Sequence, residues 1–372
     1  MRIGLNLLYL LPGVVGGTET YAKYLIQALA ALDTSNEYLI FLNQESAEFD
    51  ISAGDNFTRV VLPLRATNRI ARYAWEQTMF SRELRRRNVT VLHSLGYVGP
   101  RTPPCRHVVS IHDLNFASEY VQMSTVKRRV LGSFVVAVGR RADHILTLSD
   151  CSKEQIVRRL GVRPDTVTTT YLAADPQTVA AVVAARPSVD RSGTPYIVVF
   201  GSSTPHKNIP RLIAAFASIC DRIPHNLVVI GHVPSDGSTA AAITRYGLGN
   251  RVIATGYLPS AAMAVTLAGA ELLVFPSLYE GFGLPVLDAQ AVGLPVVCSS
   301  AAALPEVAGY GAALFDPLSV DSIASAIVSP LSDRAIRERL IKAGTRNVHR
   351  FSWQRTATLT LQAYTHVARV PK

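Results

Sequence analysis

Nowhere in the chain do two aspartates flank a single residue, and no His, Cys, Asp or Glu cluster has the spacing of a metal site. No obligatory metal is therefore expected. Cysteine is scarce too. Cys105, Cys151, Cys220 and Cys298 lie far apart and form no Cys-x-x-Cys, which argues against zinc and a disulfide framework and fits a reducing cytoplasm. No uninterrupted apolar run approaches the roughly 18 residues that span a bilayer, so any membrane contact is expected to be peripheral. The opening Met1-Arg2 and Ile3 to Val15 superficially resemble a leader. Asn6 and Pro12 interrupt the run and no small-residue cleavage site follows, so a first buried strand is expected instead. Low-complexity segments and charged tails are also missing.

What is present is a long and largely apolar chain, 372 residues with 48% hydrophobic and 17% charged side chains. That length exceeds one ordinary core and fits two α/β domains. The net charge of +10 is shared about equally between the halves and attracts something anionic. Aromatics are not interleaved with Lys and Arg as base stacking requires, so nucleic acid is disfavoured and phosphate-bearing small molecules or a membrane surface remain.

Short β-rich runs alternate with helical patterns throughout, which predicts doubly wound parallel sheets with helices on both faces. The first half offers Arg2–Leu8, Tyr38–Asn43, Thr58–Val61, Val89–His93, Arg106–His112, His144–Leu148 and Thr166–Thr170 as strands. Val183–Pro195, with two prolines and a Ser-Gly turn, reads as the interdomain linker. The pattern restarts with Tyr196–Phe200, Asn226–Ile230, Val252–Thr255, Glu271–Phe275, Pro295–Cys298 and Ala312–Phe315. The expected domains are 1–185 and 186–350, and the closing helix, Phe351–Val370 within 351–372, is a candidate to return to the first domain.

In open sheets ligands sit beyond the carboxyl ends of strands, so chemistry is sought in the loops there. Pro12-Gly13-Val14-Val15-Gly16-Gly17-Thr18-Glu19-Thr20 precedes an amphipathic helix from about Tyr21 to Leu32. Its glycines permit close backbone approach, and a helix start presents free N–H groups to an anion. The plainer reading is a flexible loop capped by Thr18 or Thr20. His112, at a strand's carboxyl end, is a candidate for a catalytic cleft or else a histidine that caps the next loop or bonds Asp113.

In the second half, Gly201-Ser202-Ser203-Thr204-Pro205-His206-Lys207-Asn208 leads into a helix through Pro210–Ile219. Lys207 beside that helix start suits the phosphates of a nucleotide, although the spacing is not that of a P-loop and a solvated turn lysine is the alternative. The most informative segment is Phe275–Pro295, a strand, a glycine loop and a helix beginning near Pro285. Glu280 on the loop and Asp288 about a turn into the helix can face one ligand from different heights. Backbone N–H groups at Phe282 and Gly283 can meet phosphate or sugar oxygens. An incidental helix acid accounts for Asp288 but leaves Glu280-Gly281-Phe282-Gly283 unexplained. Without a metal, Lys207, backbone donors and a helix dipole must neutralise a departing diphosphate.

Gly16-Gly17-Thr18-Glu19, Trp75-Glu76-Gln77, His112-Asp113-Leu114, Leu146-Thr147-Leu148-Ser149, His206-Lys207-Asn208, Glu280-Gly281-Phe282-Gly283-Leu284-Pro285 and Leu304-Pro305-Glu306-Val307 occur in this order over nearly the whole chain. Together they resemble the retaining glycosyltransferase family 4 of GT-B fold, similar to bacterial mannosyltransferases and glucosyltransferases of surface polysaccharides. The resemblance implies two Rossmann-like domains facing a central cleft. It also implies transfer of a hexose from a GDP- or UDP-linked nucleotide-sugar donor, GDP-mannose being the first guess, to a glycan or polyprenyl-linked acceptor. No further cofactor is implied. Gly16 and Gly17 would border the phosphate and acceptor region, His112 would contact the transferred sugar, and Lys207 the diphosphate. Glu280 would hold sugar hydroxyls, with Phe282, Gly283 and Leu284 in the same donor loop, and Asp288 would bind the ribose.

This chain departs from the family where Asp288 replaces the usual Glu, where His206 replaces Arg, and where Ser202 stands at a position that is arginine in some members. Retention without an enzymic nucleophile implies front-face attack, the departing diphosphate taking the acceptor proton. A non-catalytic binder of sugar nucleotide or polysaccharide is the competing class. An epimerase or a phosphorylase needs acids or a cofactor lysine for which no pattern is evident. The expected location is the cytoplasm, with contact at the inner face of the cell membrane. For that contact the candidate is the stretch with Arg65, Arg69, Arg72, Arg82 and Arg85–Arg87 around Ile70, Tyr73, Trp75, Met79 and Phe80, an ordinary amphipathic core helix being the equal alternative.

Overall fold

The computed structural model describes residues 1–369 apart from 15, 52, 119, 121, 122 and 191. Val15 at the end of the opening run, Arg191 in the linker and Val370 at the end of the closing helix lie outside the described residues. Contacts divide the chain into two compact units, one of Met1–Ala117, Met123–Leu172 and Ser352–Lys372, the other of Ala173–Phe351 with Ser118–Gln122.

The first unit is built on β1 (Arg2–Asn6), β2 (Glu37–Leu42), β3 (Phe57–Val61), β4 (Val91–Ser94), β5 (Arg106–Ser110), β6 (His144–Thr147) and β7 (Val167–Thr169), in the order β3-β2-β1-β4-β5-β6-β7. All pairs are parallel. β1 ends two residues before Leu8 because Asn6 Oδ1 accepts the Leu8 N–H at 3.1 Å, a local turn that competes with the ladder. The closing helix Trp353–Arg369 packs in this unit against the helix Gly17–Leu32. Its Tyr364 hydroxyl lies 2.6 Å from His93 Nδ1, and His93 Nε2 lies 2.8 Å from Ser110 Oγ. Thr356 of the same helix donates its hydroxyl to the Tyr171 carbonyl at 2.5 Å.

The second unit carries β8 (Tyr196–Phe200), β9 (Asn226–Ile230), β10 (Val252–Gly256), β11 (Leu272–Phe275), β12 (Val296–Ser299) and β13 (Ala312–Phe315), ordered β10-β9-β8-β11-β12-β13 and again parallel. Its strands are apolar without interruption because both faces are covered. Ile197, Val199, Leu272 and Val274 pack into the core on one face, while Val198, Leu273 and Phe275 pack into the core on the other. Cys298 belongs to that second core, which accounts for its burial without any redox role.

The unit boundary differs from the expected one, and the candidate membrane stretch is partly buried. The helix Pro176–Ala185 packs against the helix Ser260–Gly269 and buries Val182 in the second unit's core. The unit boundary therefore falls at Leu172/Ala173, ahead of the Pro- and Ser-rich stretch read as a linker. The candidate membrane stretch forms the helices Arg69–Thr78 and Phe80–Arg86. Phe80 is fully buried, Trp75 packs on it at 5.8 Å between ring centroids, and Arg72 is only 7% exposed. Arg72, Glu76, Phe80 and Leu84 are the buried residues of the two helices, while Ile70 and Met79 remain exposed, so the pair is amphipathic with one face in the core.

Candidate active site

In the second unit the chain order reverses between β8 and β11, the switch point at which open α/β sheets hold ligands. The loop after β8 ends in the turn Pro205–Lys207 and passes through Asn208, a non-glycine residue at φ 57°, before the helix Ile209–Ala217. Asn208 holds that strained turn by donating from Nδ2 to the carbonyls of Pro276 (3.1 Å) and Pro317 (2.8 Å), and the Leu278 N–H donates to the His206 carbonyl at 2.7 Å. The two switch-point loops are thereby stitched together.

Lys207 Nζ donates to Glu280 Oε1 at 2.7 Å and lies 5.2 Å from the Phe275 ring centroid. Burial alone would raise the Glu280 carboxyl, but the Lys207 charge and hydrogen bond outweigh it and hold the group below its ordinary range. His206 is pushed down, chiefly by burial with the Lys207 charge adding and Glu280 opposing, and its Nδ1 is buried without a hydrogen-bond partner among the described residues.

The Glu280-Gly281-Phe282-Gly283 loop turns into the helix Leu284–Ala291 at Gly283, whose φ is 102°. A Cβ there would lie 2.5 Å from Leu304 Cδ2, so only glycine fits. The Phe282 side chain is buried with its ring edge against Phe351 at 5.8 Å, which leaves its backbone as the part available to a ligand. Leu284 is half-buried in the first helical turn.

Asp288 borders a cavity of about 90 Å³ with Phe200, Met263, Leu267 and Pro285, and its Oδ1 accepts the Asp175 N–H at 2.8 Å. Burial pushes its carboxyl up to about 8, the Asp175 N–H opposing and the Asp175 charge adding. Asp288 is therefore not alone: Asp175, whose own carboxylate caps the helix Pro176–Ala185, sits beside it. Nothing in the sequence pattern pointed to Asp175. Ser202 bonds Thr204 Oγ1 at 2.5 Å and lines a cavity of about 380 Å³ with Asn208, Arg211 and Thr239.

In the first unit, helix Gly17–Leu32 starts four residues earlier than expected. Gly16 precedes it at φ 58°, ψ −126°, and neither Thr18 nor Thr20 caps it. Glu19 instead accepts the Gly13 N–H at 2.8 Å. A Cβ at Gly16 or Gly17 would meet nothing within 4 Å, so the backbone there stands open. His112 lies two residues beyond β5, 3% exposed, with Tyr21 edge-on at 4.7 Å and Tyr97 at 5.6 Å. Its Nε2 has no partner among the described residues, and Asp113 accepts from Asn115 N and Tyr97 instead. Burial lowers His112 to about 4, so the ring is neutral near pH 7.

Residues 15–178 match the family described as Glycosyltransferase Family 4, and residues 184–347 match Glycosyl transferases group 1. The chain belongs to the GT4-type glycosyltransferases. It is 33% identical over 227 residues to O-antigen chain mannosyltransferase B of Escherichia coli, 59% of this chain and 60% of that one. It is 31% identical over 238 residues to MMP alpha-(1->4)-mannosyltransferase of Mycolicibacterium hassiacum, 63% of this chain and 56% of that one. The match thus spans less than two thirds of either relative. Sucrose-phosphate synthase from Thermosynechococcus elongatus superposes over 99% of both chains with a TM-score of 0.77 at 20% identity, and so shares the GT-B fold.

Residues of two further motifs of this GT4-type chain hold local structure. Ser149 caps the helix Asp150–Leu160. Gln77 accepts the Arg101 N–H at 3.0 Å and donates to the Gly99 carbonyl at 2.9 Å. Among the described residues no group of three His, Cys, Asp or Glu could hold a metal, and no helix is long and apolar enough to cross a membrane.

Proposed function

We infer that this chain is a retaining hexosyltransferase of cell-surface polysaccharide synthesis. It moves a sugar, mannose from GDP-mannose as first candidate, onto a glycan or lipid-linked acceptor. The observation that carries the reading is the Lys207–Glu280 pair at the switch point of the second sheet, with Asp288 in the helix behind. Two relatives named as mannosyltransferases support the choice of sugar.

In this reading Lys207 meets the diphosphate, Glu280 and the backbone of Phe282, Gly283 and Leu284 meet the sugar hydroxyls, and Asp288 meets the ribose. Gly16 and Gly17 border the acceptor region, and neutral His112 offers Nε2 to the transferred sugar. The bond from C1 to the diphosphate oxygen breaks, the bond from C1 to the acceptor oxygen forms on the same face, and the departing diphosphate takes the acceptor proton. Charge neutralisation by Lys207 replaces a metal, so activity should survive chelation by EDTA. The enzyme would work in the cytoplasm at the inner face of the membrane, touching anionic lipid through Ile70, Met79 and the exposed arginines around them.

The test is nucleotide release from a panel of GDP- and UDP-sugars with and without glycan acceptor. Acceptor-dependent release supports transfer. Binding without release points to a non-catalytic binder, and a changed donor sugar without acceptor points to an epimerase.

A further inference from the structure

The ring of His112 is flanked by two tyrosines, Tyr21 at 4.7 Å and Tyr97 at 5.6 Å between centroids, and its Nε2 has no partner among the described residues. Where that nitrogen points therefore depends on where the two rings stand. Tyr97 is tied locally, its hydroxyl donating to Asp113 Oδ1 at 3.2 Å. Tyr21 is tied from far along the chain.

The Tyr21 hydroxyl lies 2.8 Å from Ser110 Oγ, Ser110 Oγ lies 2.8 Å from His93 Nε2, and His93 Nδ1 lies 2.6 Å from the Tyr364 hydroxyl. These four side chains come from the helix Gly17–Leu32, β5, β4 and the closing helix Trp353–Arg369, and none is more than 1% exposed. Polar groups so deeply buried need partners, and a connected buried network fixes the geometry of its members. Burial holds His93 down at about 3, the His107 and His112 charges adding, and burial raises Tyr21 and Tyr364 well above the ordinary tyrosine range. The network thus keeps one protonation state across the neutral range. Neutral His93 donates from one ring nitrogen and accepts at the other, so the hydrogen bonds run in a single direction from end to end, and either direction pins Tyr21.

Alternation along the strands keeps this network apart from a second one. His93 and Ser110 face the two helices, whereas Ser94 points to the opposite face of β4. There its Oγ lies 2.9 Å from His107 Nε2 and accepts from Asn6 Nδ2 at 3.4 Å, and Asn6 Nδ2 also reaches Glu76 Oε1 at 3.5 Å. Burial lifts the Glu76 carboxyl to about 7, Arg72 and the Asn6 bond opposing. The second network is as deeply buried as the first, but it ends on Glu76 and titrates near neutral pH.

We propose that Tyr21 is a positioning residue that aims the His112 ring, and that the closing helix holds Tyr21 in place through Tyr364, His93 and Ser110. Tyr21 also stands one turn beyond Gly17 at the start of its helix, so the same anchor steadies the open backbone of Gly16 and Gly17. The use of His112 on a transferred sugar rests on the glycosyl-transfer reading; the aiming of its ring does not.

The test is the ε1 carbon–proton NMR signal of His112 in the full chain labelled with carbon-13 histidine, assigned by its loss in His112→Gln. Tyr21→Phe and Ser110→Ala cut the near end of the network and Tyr364→Phe the far end, and each should move or broaden that signal. Ser110→Thr, which keeps a hydroxyl, should restore part of it. Ser94→Ala cuts the second network and should leave the signal in place. In acceptor-dependent nucleotide release, the first three variants should lose about tenfold or more in kcat with donor KM held within about twofold, because a misaimed group slows the reaction while the donor contacts remain. Urea midpoints report whether each variant is folded, and Tyr21→Phe, which loses a single oxygen, decides if the others are not. An unmoved His112 signal in the folded variants, an equal change in Ser94→Ala, or a loss confined to KM overturns the proposal. If wild type releases no nucleotide with any acceptor, the transfer reading falls instead and the signal alone decides the positioning.

Discussion

The Lys207 ammonium and the Glu280 carboxylate meet at 2.7 Å across 73 residues of sequence, each on a loop that leaves one of the two central strands of the second sheet. Neither can be removed without leaving the other charged and partly buried. Lys207→Ala should weaken donor binding and turnover by roughly 2–4 kcal/mol, the worth of a charge-assisted phosphate contact in a partly dry site. It should also raise the Glu280 carboxyl, whose low value depends on Lys207. Steady-state kinetics over a donor series check this, and near-normal parameters would remove Lys207 from the site.

Glu280→Gln keeps an oxygen within reach of Lys207 while discarding the charge. Turnover should fall by about tenfold or more, as expected when a charge-assisted contact to sugar hydroxyls is lost, and the thermal midpoint should change little. Unchanged turnover would give Glu280 a purely structural part, that of holding Lys207.

Asp288→Ala should raise the donor KM by about ten- to a hundredfold with a smaller fall in kcat, because ribose contacts act on ground and transition state alike. Asp288→Glu should be tolerated. A donor KM that does not move would place the ribose elsewhere. The carboxyl also predicts a pH effect on folding. Its folded value near 8 lies above the ordinary value of about 4, so its contribution is complete below pH 4 and is lost as pH rises to 8. Glu76 acts in the same sense up to about 7. The difference between wild type and Asp288→Asn in urea melts from pH 5 to 8.5 isolates Asp288: the variant should lose less stability over that range.

Four buried histidines act in the opposite sense, His144 being lowered to about 4, mainly by burial with His366 and Lys153 adding and Asp165 opposing. His93 is lowered to about 3, mainly by burial with His107 and His112 adding, and His107 and His112 are lowered to about 4, again mainly by burial. Groups depressed below the ordinary histidine value of about 6.5 give stability that is present above that value and lost as pH falls through the folded values. In the Asp288→Asn variant, which removes the larger opposing carboxyl, the urea midpoint should therefore drop between pH 6.5 and 4. A flat profile there would mean that these rings are hydrated.

Tyr364→Phe should destabilise the protein by about 1–3 kcal/mol, because it strips a buried His93 nitrogen of its 2.6 Å partner while leaving the shape unchanged. Equilibrium urea unfolding checks it. A cost within about 0.5 kcal/mol, the size of an ordinary surface change, would show that water replaces the hydroxyl.

The strands were legible because each is an apolar run bounded by turn residues. Every expected run overlaps one of the strands observed among the described residues, although several ends differ, as at β4 (Val91–Ser94) against the expected Val89–His93. Glu280, Gly283 and Lys207 were legible because a glycine loop between strand and helix has few purposes. What stayed hidden depends on contacts far apart in sequence. Asp175 looks like any helix cap until its N–H is found on Asp288. Asn208 looks like a turn residue until its two carbonyl partners are seen. Arg72 and Glu76 carry charges that mark an exposed helix face, and only the packing of Phe80, Trp75 and the helix Thr125–Gly139, through Tyr73 on Phe134 at 5.3 Å, turns that face inward.

The helix Trp353–Arg369 completes the first unit but is translated after the whole of Ala173–Phe351. At roughly 5–20 residues per second, a ribosome needs on the order of ten to forty seconds to cover that distance. Throughout that interval the nascent first unit lacks Tyr364 for His93 and the helix that lies on Gly17–Leu32, although its seven strands have already emerged. The second unit has no such debt and can close as soon as its own last helix is released. Synthesis order and folding order are thus opposed, and the unit made first is the one left waiting for its last helix.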